Sequence, residues 1–154
     1  MPGKEDRQPL SIKDELFKIR NEQREIIELK ERIDTEYNSL LPSGIRYDTD
    51  KVQTSPEDHM TKTMAEIDDH MRILSDRLSH LLTRKRRAEK IIGTLEDSRP
   101  RQALTLYFLT PGTEMGRGYR MTMEEVADRM GYSHGAAYGF YAEGLRILEE
   151  MQIM

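Results

Sequence analysis

The sequence predicts an all-α fold in which a long antiparallel helical hairpin is followed by a three-helix helix-turn-helix domain. Apolar residues recur at heptad spacing from Ile12 to Leu40 and again from Met60 to Leu95, the pattern of coiled-coil-like helices. Charged residues make up 34% of the 154 residues, against roughly 25% in ordinary globular domains, which favours long solvated helices. The last third breaks into short apolar stretches bounded by caps and glycines. We expect a disordered segment over 1–10, the hairpin over 11–96 and the helix-turn-helix domain over 97–154.

The first long helix is predicted over about Ile12 to Leu41. Its apolar residues lie at spacings of four, three or seven: Ile12, Leu16, Ile19, Ile26, Ile33, Tyr37 and Leu40. Gln23 and Lys30 take the two remaining positions of the repeat. Ser11 can cap the start, and Pro42 ends the helix because the residue before a proline disfavours helical backbone.

The second long helix has a clear start, with Ser55 as cap, Pro56 at the first helical position and the acids Glu57 and Asp58 in the first turn. Its heptad positions are Met60, Met64, Ile67, Met71, Leu74, Leu78, Leu81, Ala88, Ile92 and Leu95, interrupted by Lys85. A loop over about 42–54 lets the two helices fold back antiparallel and bury their apolar stripes. The polar heptad residues either set the register or mark where a partner or a second copy packs.

Near Leu95 the composition changes, and Asp97 or Ser98 can cap a short apolar helix. The stretch from Thr110 to Arg120 holds one proline and three glycines, Pro111, Gly112, Gly116 and Gly118. We interpret it as a flexible linker, since its glycine spacing matches no phosphate-binding motif.

Two closely spaced helices are predicted after this linker. Thr122 and Glu125 have the spacing of a capping box, Gly131 suits a left-handed C-cap, and Ser133 can cap the next helix. Small Ala127 falls where two such helices cross. The positions expected to pack inward are Val126, Met130, Tyr132, Ala137 and Phe140. This combination is typical of a helix-turn-helix.

In this order, the segments LEDSRPRQALTLYFL and TMEEVADRMGYS and a final amphipathic helix make the chain resemble region four of bacterial sigma factors. It is more similar still to the small sigma-like, ArpU-type regulators of phages and prophages of Gram-positive bacteria. The segment GIRYDTDKVQTSPEDHM looks like a loop that such proteins carry between two long helices. The resemblance covers about Gly44 to Leu148. It implies a transcription regulator whose last helix enters the DNA major groove.

The residues of that helix expected to face base edges are Ser133, His134, Gly135, Tyr138, Gly139 and Ala142. None is Arg, Lys, Asn or Gln, the side chains that make strong bidentate base contacts. Two hypotheses stay open. Either loose readout by this helix is supported by phosphate contacts from Arg117, Arg120 and Arg129, or the protein is an interaction adaptor whose degenerate helix docks on RNA polymerase or another regulator.

A second basic patch lies on the second long helix, where seven basic residues stand against two acids between Arg72 and Lys90. Its principal members are Arg77, Arg84, Arg86 and Arg87. It is either a phosphate-tracking surface or a solvated face neutralised by an acid-rich first helix. The acids in question are Glu22, Glu25, Glu28 and Glu31.

Composition excludes several classes of function. The net charge of −4 argues against a chain coated in basic charge for nonspecific nucleic-acid binding. There is no cysteine, and the histidines lack ligand spacing, so we expect no metal, cofactor or catalytic site.

No apolar run is long enough for a membrane span, and we expect a cytoplasmic protein. Double-stranded DNA and host RNA polymerase are the expected partners, and a homodimer is expected because two helices alone bury little apolar surface.

Overall fold

The fold is all-α, as predicted. The computed structural model describes residues 11–40, 56–113 and 119–153. Its five helices are α1 (Ile12–Asn38), α2 (Pro56–Ile92), α3 (Ser98–Leu104), α4 (Met123–Met130) and α5 (His134–Ile153), and a π-helical segment, Thr105–Leu109, continues α3. Helices α1 and α2 form a long antiparallel pair, and the three shorter helices that follow pack together.

The helix boundaries follow local capping signals. The backbone N–H of Asp14 donates to Ser11 Oγ at 3.1 Å at the start of α1, as predicted. Asp97 caps α3 by accepting the Arg99 N–H at 2.9 Å. The predicted N-terminal segment 1–10, the loop 42–54 and the cap Ser55 lie outside the described residues.

Contacts divide the chain into two compact units, and the boundaries fall inside the long helices rather than near Leu95. The C-terminal unit joins the described residues up to Arg24 with those from Leu81 onward. The hairpin unit contains residues 25–80. The compact units therefore follow three-dimensional contacts and not the change of composition.

The hairpin unit has a small apolar core formed by Leu29, Ile33 and Ile67. Two heptad assignments in α1 are wrong: Lys30 and Tyr37 are exposed. Leu29 is buried where Lys30 was expected because the step after Ile26 is three residues rather than four, a local change of phase in the heptad pattern. The apolar stripe predicted on α2 is also only partly covered, because Met60, Met64, Met71 and Leu78 are exposed.

One polar pair bridges the two helices of the hairpin unit. His70 Nδ1 lies 2.6 Å from Glu36 Oε1, and both side chains are partly buried. This pair occupies a heptad level that the sequence interpretation assigned to Tyr37. Polar pairing at one level of an apolar interface favours a single register over its slipped alternatives.

The C-terminal unit has the larger core. One cluster of buried residues comes from α3, α4, α5 and the segment before α4: Ala103, Met121, Val126, Ala127 and Ala137. Leu16 and Ile19 from the first half of α1 are also fully buried in this unit. Where α5 meets α3, a Cβ on Gly144 would lie 2.9 Å from Leu104 Cδ1. Glycine therefore permits a closer approach of these helices than any other residue would.

Side chains of α1 bind backbone carbonyls of the C-terminal unit. Arg20 Nη1 donates to the carbonyls of Tyr107 and Met121 at 2.8 and 2.7 Å, and Gln23 Nε2 donates to the Phe108 carbonyl at 2.8 Å. Tyr107 and Phe108 belong to the π-helical segment, close to the helix end where carbonyls lack intrahelical partners. The first half of α1 thus caps the end of the α3 region.

A backbone hydrogen bond joins the two ends of the predicted linker. The Gly112 N–H donates to the Tyr119 carbonyl at 2.7 Å. A Cβ on Gly112 would stand 2.5 Å from the Arg120 carbonyl oxygen, so only glycine fits this crossing of two backbone segments. Of the residues between Gly112 and Tyr119, 114–118 lie outside the described part of the chain.

In the part of the chain that the structure describes, no helix combines the length and apolarity needed to cross a membrane.

Candidate functional site

Helix α4 begins at the predicted cap, with half of the expected capping box. Thr122 Oγ1 accepts the Glu125 N–H at 3.2 Å. The reciprocal half of the box is missing, and Glu125 Oε1 is buried without a hydrogen-bond partner among the described residues. Among the described residues, the Thr122 hydroxyl is therefore the side-chain cap of α4.

A three-residue turn joins α4 to α5. Gly131 has a φ of 77° and ends α4 in the left-handed conformation, the role predicted for it. The N–H groups of Gly131 and Tyr132 both reach the Ala127 carbonyl, at 2.9 and 3.1 Å. Ser133 Oγ then accepts the Ala136 N–H at 3.2 Å at the start of α5. This is a helix-turn-helix-like arrangement.

The first turns of α5 have one buried and one open face. The open face consists of the residues predicted to meet base edges, all of which are exposed: Ser133, His134, Gly135, Tyr138, Gly139 and Ala142. On the opposite face Ala137 is buried, and farther along α5 Leu145 and Leu148 are also buried. A Cβ built on Gly135 or Gly139 meets nothing within 4 Å. The open face can therefore be approached closely by a large ligand.

Tyr138, on the open face, is the first member of a series of aromatic contacts. The ring of Tyr138, which is 56% exposed, lies 5.7 Å from the ring of Tyr141. Tyr141 contacts Tyr107 at 4.9 Å between ring centroids, and the Arg20 guanidinium lies 3.9 Å from the Tyr107 centroid. Burial, and then the neighbouring tyrosines, raises the pKa of Tyr141 to about 12, so the Tyr141 hydroxyl stays protonated at neutral pH.

Of the three arginines predicted to bind phosphate, two lie within the described residues. Arg120 and Arg129 are both exposed, and Arg129 lies in the last turn of α4, directly before the turn. Arg117 lies outside the described residues. Met130 and the three-residue turn separate Arg129 from the start of α5 in the sequence.

Arg99 is a cation near α5 that the sequence interpretation missed. Its guanidinium lies 5.2 Å from the centroid of the Phe140 ring, and the Arg99 side chain is 51% exposed. Two hydrogen bonds to Asp97 orient it, at 2.9 and 3.2 Å, and they hold the pKa of Asp97 below its usual range. Its place beside the Asp97 cap is visible in the sequence, but its proximity to Phe140 is a tertiary contact.

Tyr132 differs from its predicted inward position. It is 42% exposed, although its ring edge packs on Phe140 with centroids 5.0 Å apart. The turn therefore places Tyr132 at the border of the open face, near Arg99. Its partial exposure follows from its place in the turn, since α5 begins only at His134.

The second basic patch is not one continuous surface of unpaired cations. Arg77 lies in the hairpin unit and pairs with Glu25 at 3.7 Å, as the solvated-face interpretation predicts. In the C-terminal unit, Arg84 is partly buried, and Arg86 and Arg87 line a shallow cleft with Thr83 and Lys90. Burial lowers the pKa of neighbouring Lys85.

Among the described residues, no group of three acidic or histidine side chains is arranged to hold a metal ion. Comparison of the chain with protein-family models, with curated proteins and with solved structures found no match. The functional assignment therefore depends on the geometry of the α4–turn–α5 site.

Proposed function

We propose that the protein is a non-enzymatic transcription regulator of the sigma-like, phage or prophage type that binds duplex DNA through α5. The observation that carries this proposal is the open face at the start of α5, which follows a glycine turn and is backed by a buried opposite face. A helix held this way has the shape required to enter a major groove.

The chemistry of the open face favours modest sequence selectivity. Ser133, His134 and Tyr138 supply hydrogen-bonding groups, and Gly135 and Gly139 allow close approach of the helix backbone. Each bidentate base contact contributes about 1–3 kcal/mol of discrimination, and this face has no residue that makes one. Phosphate contacts from Arg99, Arg120 and Arg129 would then supply a large share of the affinity.

The decisive experiment is selection of binding sites from a random duplex library with the full chain, followed by affinity measurements at several salt concentrations. We expect an enriched motif and an affinity that falls steeply as salt rises, because phosphate binding releases counterions. The double variant His134→Ala, Tyr138→Ala should change the selected motif. Arg129→Ala should weaken binding to all sequences and reduce the salt slope by about 1.

Arg146 provides a matched control on the same helix. It is exposed but pairs with Glu150 at 2.9 Å, farther along α5. Arg146→Ala should leave both the motif and the salt slope unchanged. Failure to bind any duplex at low salt would contradict the proposed function.

The second candidate is a protein-interaction adaptor that docks on RNA polymerase or another regulator. It is favoured by the lack of bidentate base-reading side chains on the open face and by the exposure of Tyr132 and Tyr138, since tyrosine is enriched in protein interfaces. A pull-down from a bacterial host that recovers polymerase without DNA would select this candidate.

A further inference from the structure

The hairpin unit leaves a row of large apolar side chains exposed along α2. Met64, Met71 and Leu78 repeat at every seventh residue, and Met60 lies one turn before Met64. Met64 and Met71 are each 54% exposed, and Leu78 is 39% exposed. We call these four residues the methionine stripe.

The stripe exists because only one side of the heptad pattern of α2 faces α1. Thr63 and Ile67 are buried and Leu74 packs against the hairpin core, whereas the other apolar heptad positions lie on the adjoining flank. Several exposed apolar side chains aligned on one side of a helix mark an interaction site more often than an exposed single residue does. Methionine also suits interfaces because its flexible side chain adapts to the opposing surface.

We infer that the methionine stripe binds the stripe of a second copy of this chain, with the two α2 helices antiparallel. A twofold axis through Met71 brings the two Met71 side chains together and places Met64 beside the partner's Leu78. Equal seven-residue spacing on either side of Met71 makes the row self-complementary under this operation. Such a contact is isologous and closes as a dimer.

The charge distribution of α2 favours the antiparallel arrangement. Its first half is acidic, with Glu57, Asp58, Glu66, Asp68 and Asp69 against Lys62. Its second half is basic, with Arg72, Arg77, Arg84, Lys85, Arg86, Arg87 and Lys90 against Asp76 and Glu89. Antiparallel pairing sets each acidic half beside the partner's basic half, whereas parallel pairing would bring like charges together.

Self-association of the full chain without DNA tests this inference, so its result is independent of the proposed function. Sedimentation equilibrium should show a dimer for the unsubstituted protein. Met71→Glu should weaken the dimer by at least about 100-fold, because two carboxylates would meet on the twofold axis. Circular dichroism should show unchanged helicity, since Met71 is half exposed in the single chain.

Ile73→Glu is the matched control. Ile73 is 45% exposed and lies on the same helix, but helical spacing places it on the opposite flank from Met71. It should leave the dimer intact. A monomeric unsubstituted protein, or a dimer broken by Ile73→Glu and not by Met71→Glu, would overturn the inference.

Because the chain has no cysteine, single cysteines report the orientation directly with a short thiol cross-linker. Met71→Cys should cross-link to itself. A mixture of Met64→Cys and Leu78→Cys chains should give cross-linked heterodimers, while Met64→Cys alone should not. Efficient self-linking of Met64→Cys would show a parallel dimer and contradict the antiparallel arrangement.

Discussion

The three glycines of α5 have two different physical roles. Gly144 is buried and lets α3 and α5 approach, since a Cβ there would contact Leu104 and Pro100. Gly135 and Gly139 have open space around the position of a Cβ, so packing within the chain does not require them. Each weakens the helix by about 1 kcal/mol relative to alanine, a cost that close approach of a ligand to the helix backbone would explain.

Gly139→Ala should therefore raise the free energy of unfolding by about 1 kcal/mol while weakening binding of the selected DNA about tenfold, or about 1.4 kcal/mol. Urea denaturation and fluorescence anisotropy measure the two effects. Gly144→Ala is the contrasting variant and should lower stability by about 1–3 kcal/mol through overpacking. Unchanged DNA affinity for Gly139→Ala would show that the ligand does not approach this part of the backbone.

Helix α1 contributes buried residues to both compact units. Its first half buries Leu16 and Ile19 in the C-terminal unit, and its second half supplies Leu29 and Ile33 to the hairpin unit. Arg20 and Gln23 add hydrogen bonds to the carbonyls of the π-helical segment and of Met121. The apolar contacts supply burial, and the polar ones determine the register of α1 on this unit.

Arg20→Met should destabilise the protein by about 2–4 kcal/mol, through the loss of its hydrogen bonds and of its cation–π contact. The substitution keeps an unbranched side chain but leaves the Tyr107 and Met121 carbonyls without this donor, at about 1–3 kcal/mol for a buried group, and removes the cation from the Tyr107 ring. Chemical denaturation measures the loss. Lys18→Met, at an exposed position of the same helix, should change stability by less than about 0.5 kcal/mol, and equal effects of the two variants would contradict a specific role for Arg20.

Across the whole molecule, the first and last parts of the chain share one compact unit. The aromatic cluster shows why: Phe17 packs on Phe108 with centroids 5.0 Å apart, and Phe108 stacks on Tyr141 at 5.7 Å. Residues of α1, of the π-helical segment and of α5 therefore belong to one core. The final three helices complete their core only with contributions from the start of the chain.

A fragment of residues 97–154 should consequently fail to fold cooperatively. Without α1 and the end of α2, its aromatic residues would be exposed to water, and a chain this short has little core to lose. Thermal unfolding followed by circular dichroism, together with the amide dispersion in an NMR spectrum, distinguishes the outcomes. A fragment with a sharp transition and native-like dispersion would show that the segment predicted from composition is an autonomous domain.

The helices and their caps could be derived from the sequence because their causes are local. The caps Ser11, Asp97, Thr122 and Gly131 act on backbone groups a few residues away, so their spacing in the chain was sufficient. The open face of α5 was likewise visible as a pattern of apolar and polar positions around Ala137. The same local reasoning assigned Lys30 and Tyr37 wrongly, because the phase of a heptad pattern depends on which face its partner covers.

The remaining features required the three-dimensional arrangement, because they join residues far apart in the chain. The bond from Arg20 to Tyr107 spans 87 residues, and nothing near Arg20 in the sequence indicates a carbonyl that lacks a partner. Arg99 was missed beside α5 for the same reason. Local hydrogen bonding and capping determine where helices begin and end, whereas the competition among apolar faces for burial determines which of them meet and which stay open to a partner.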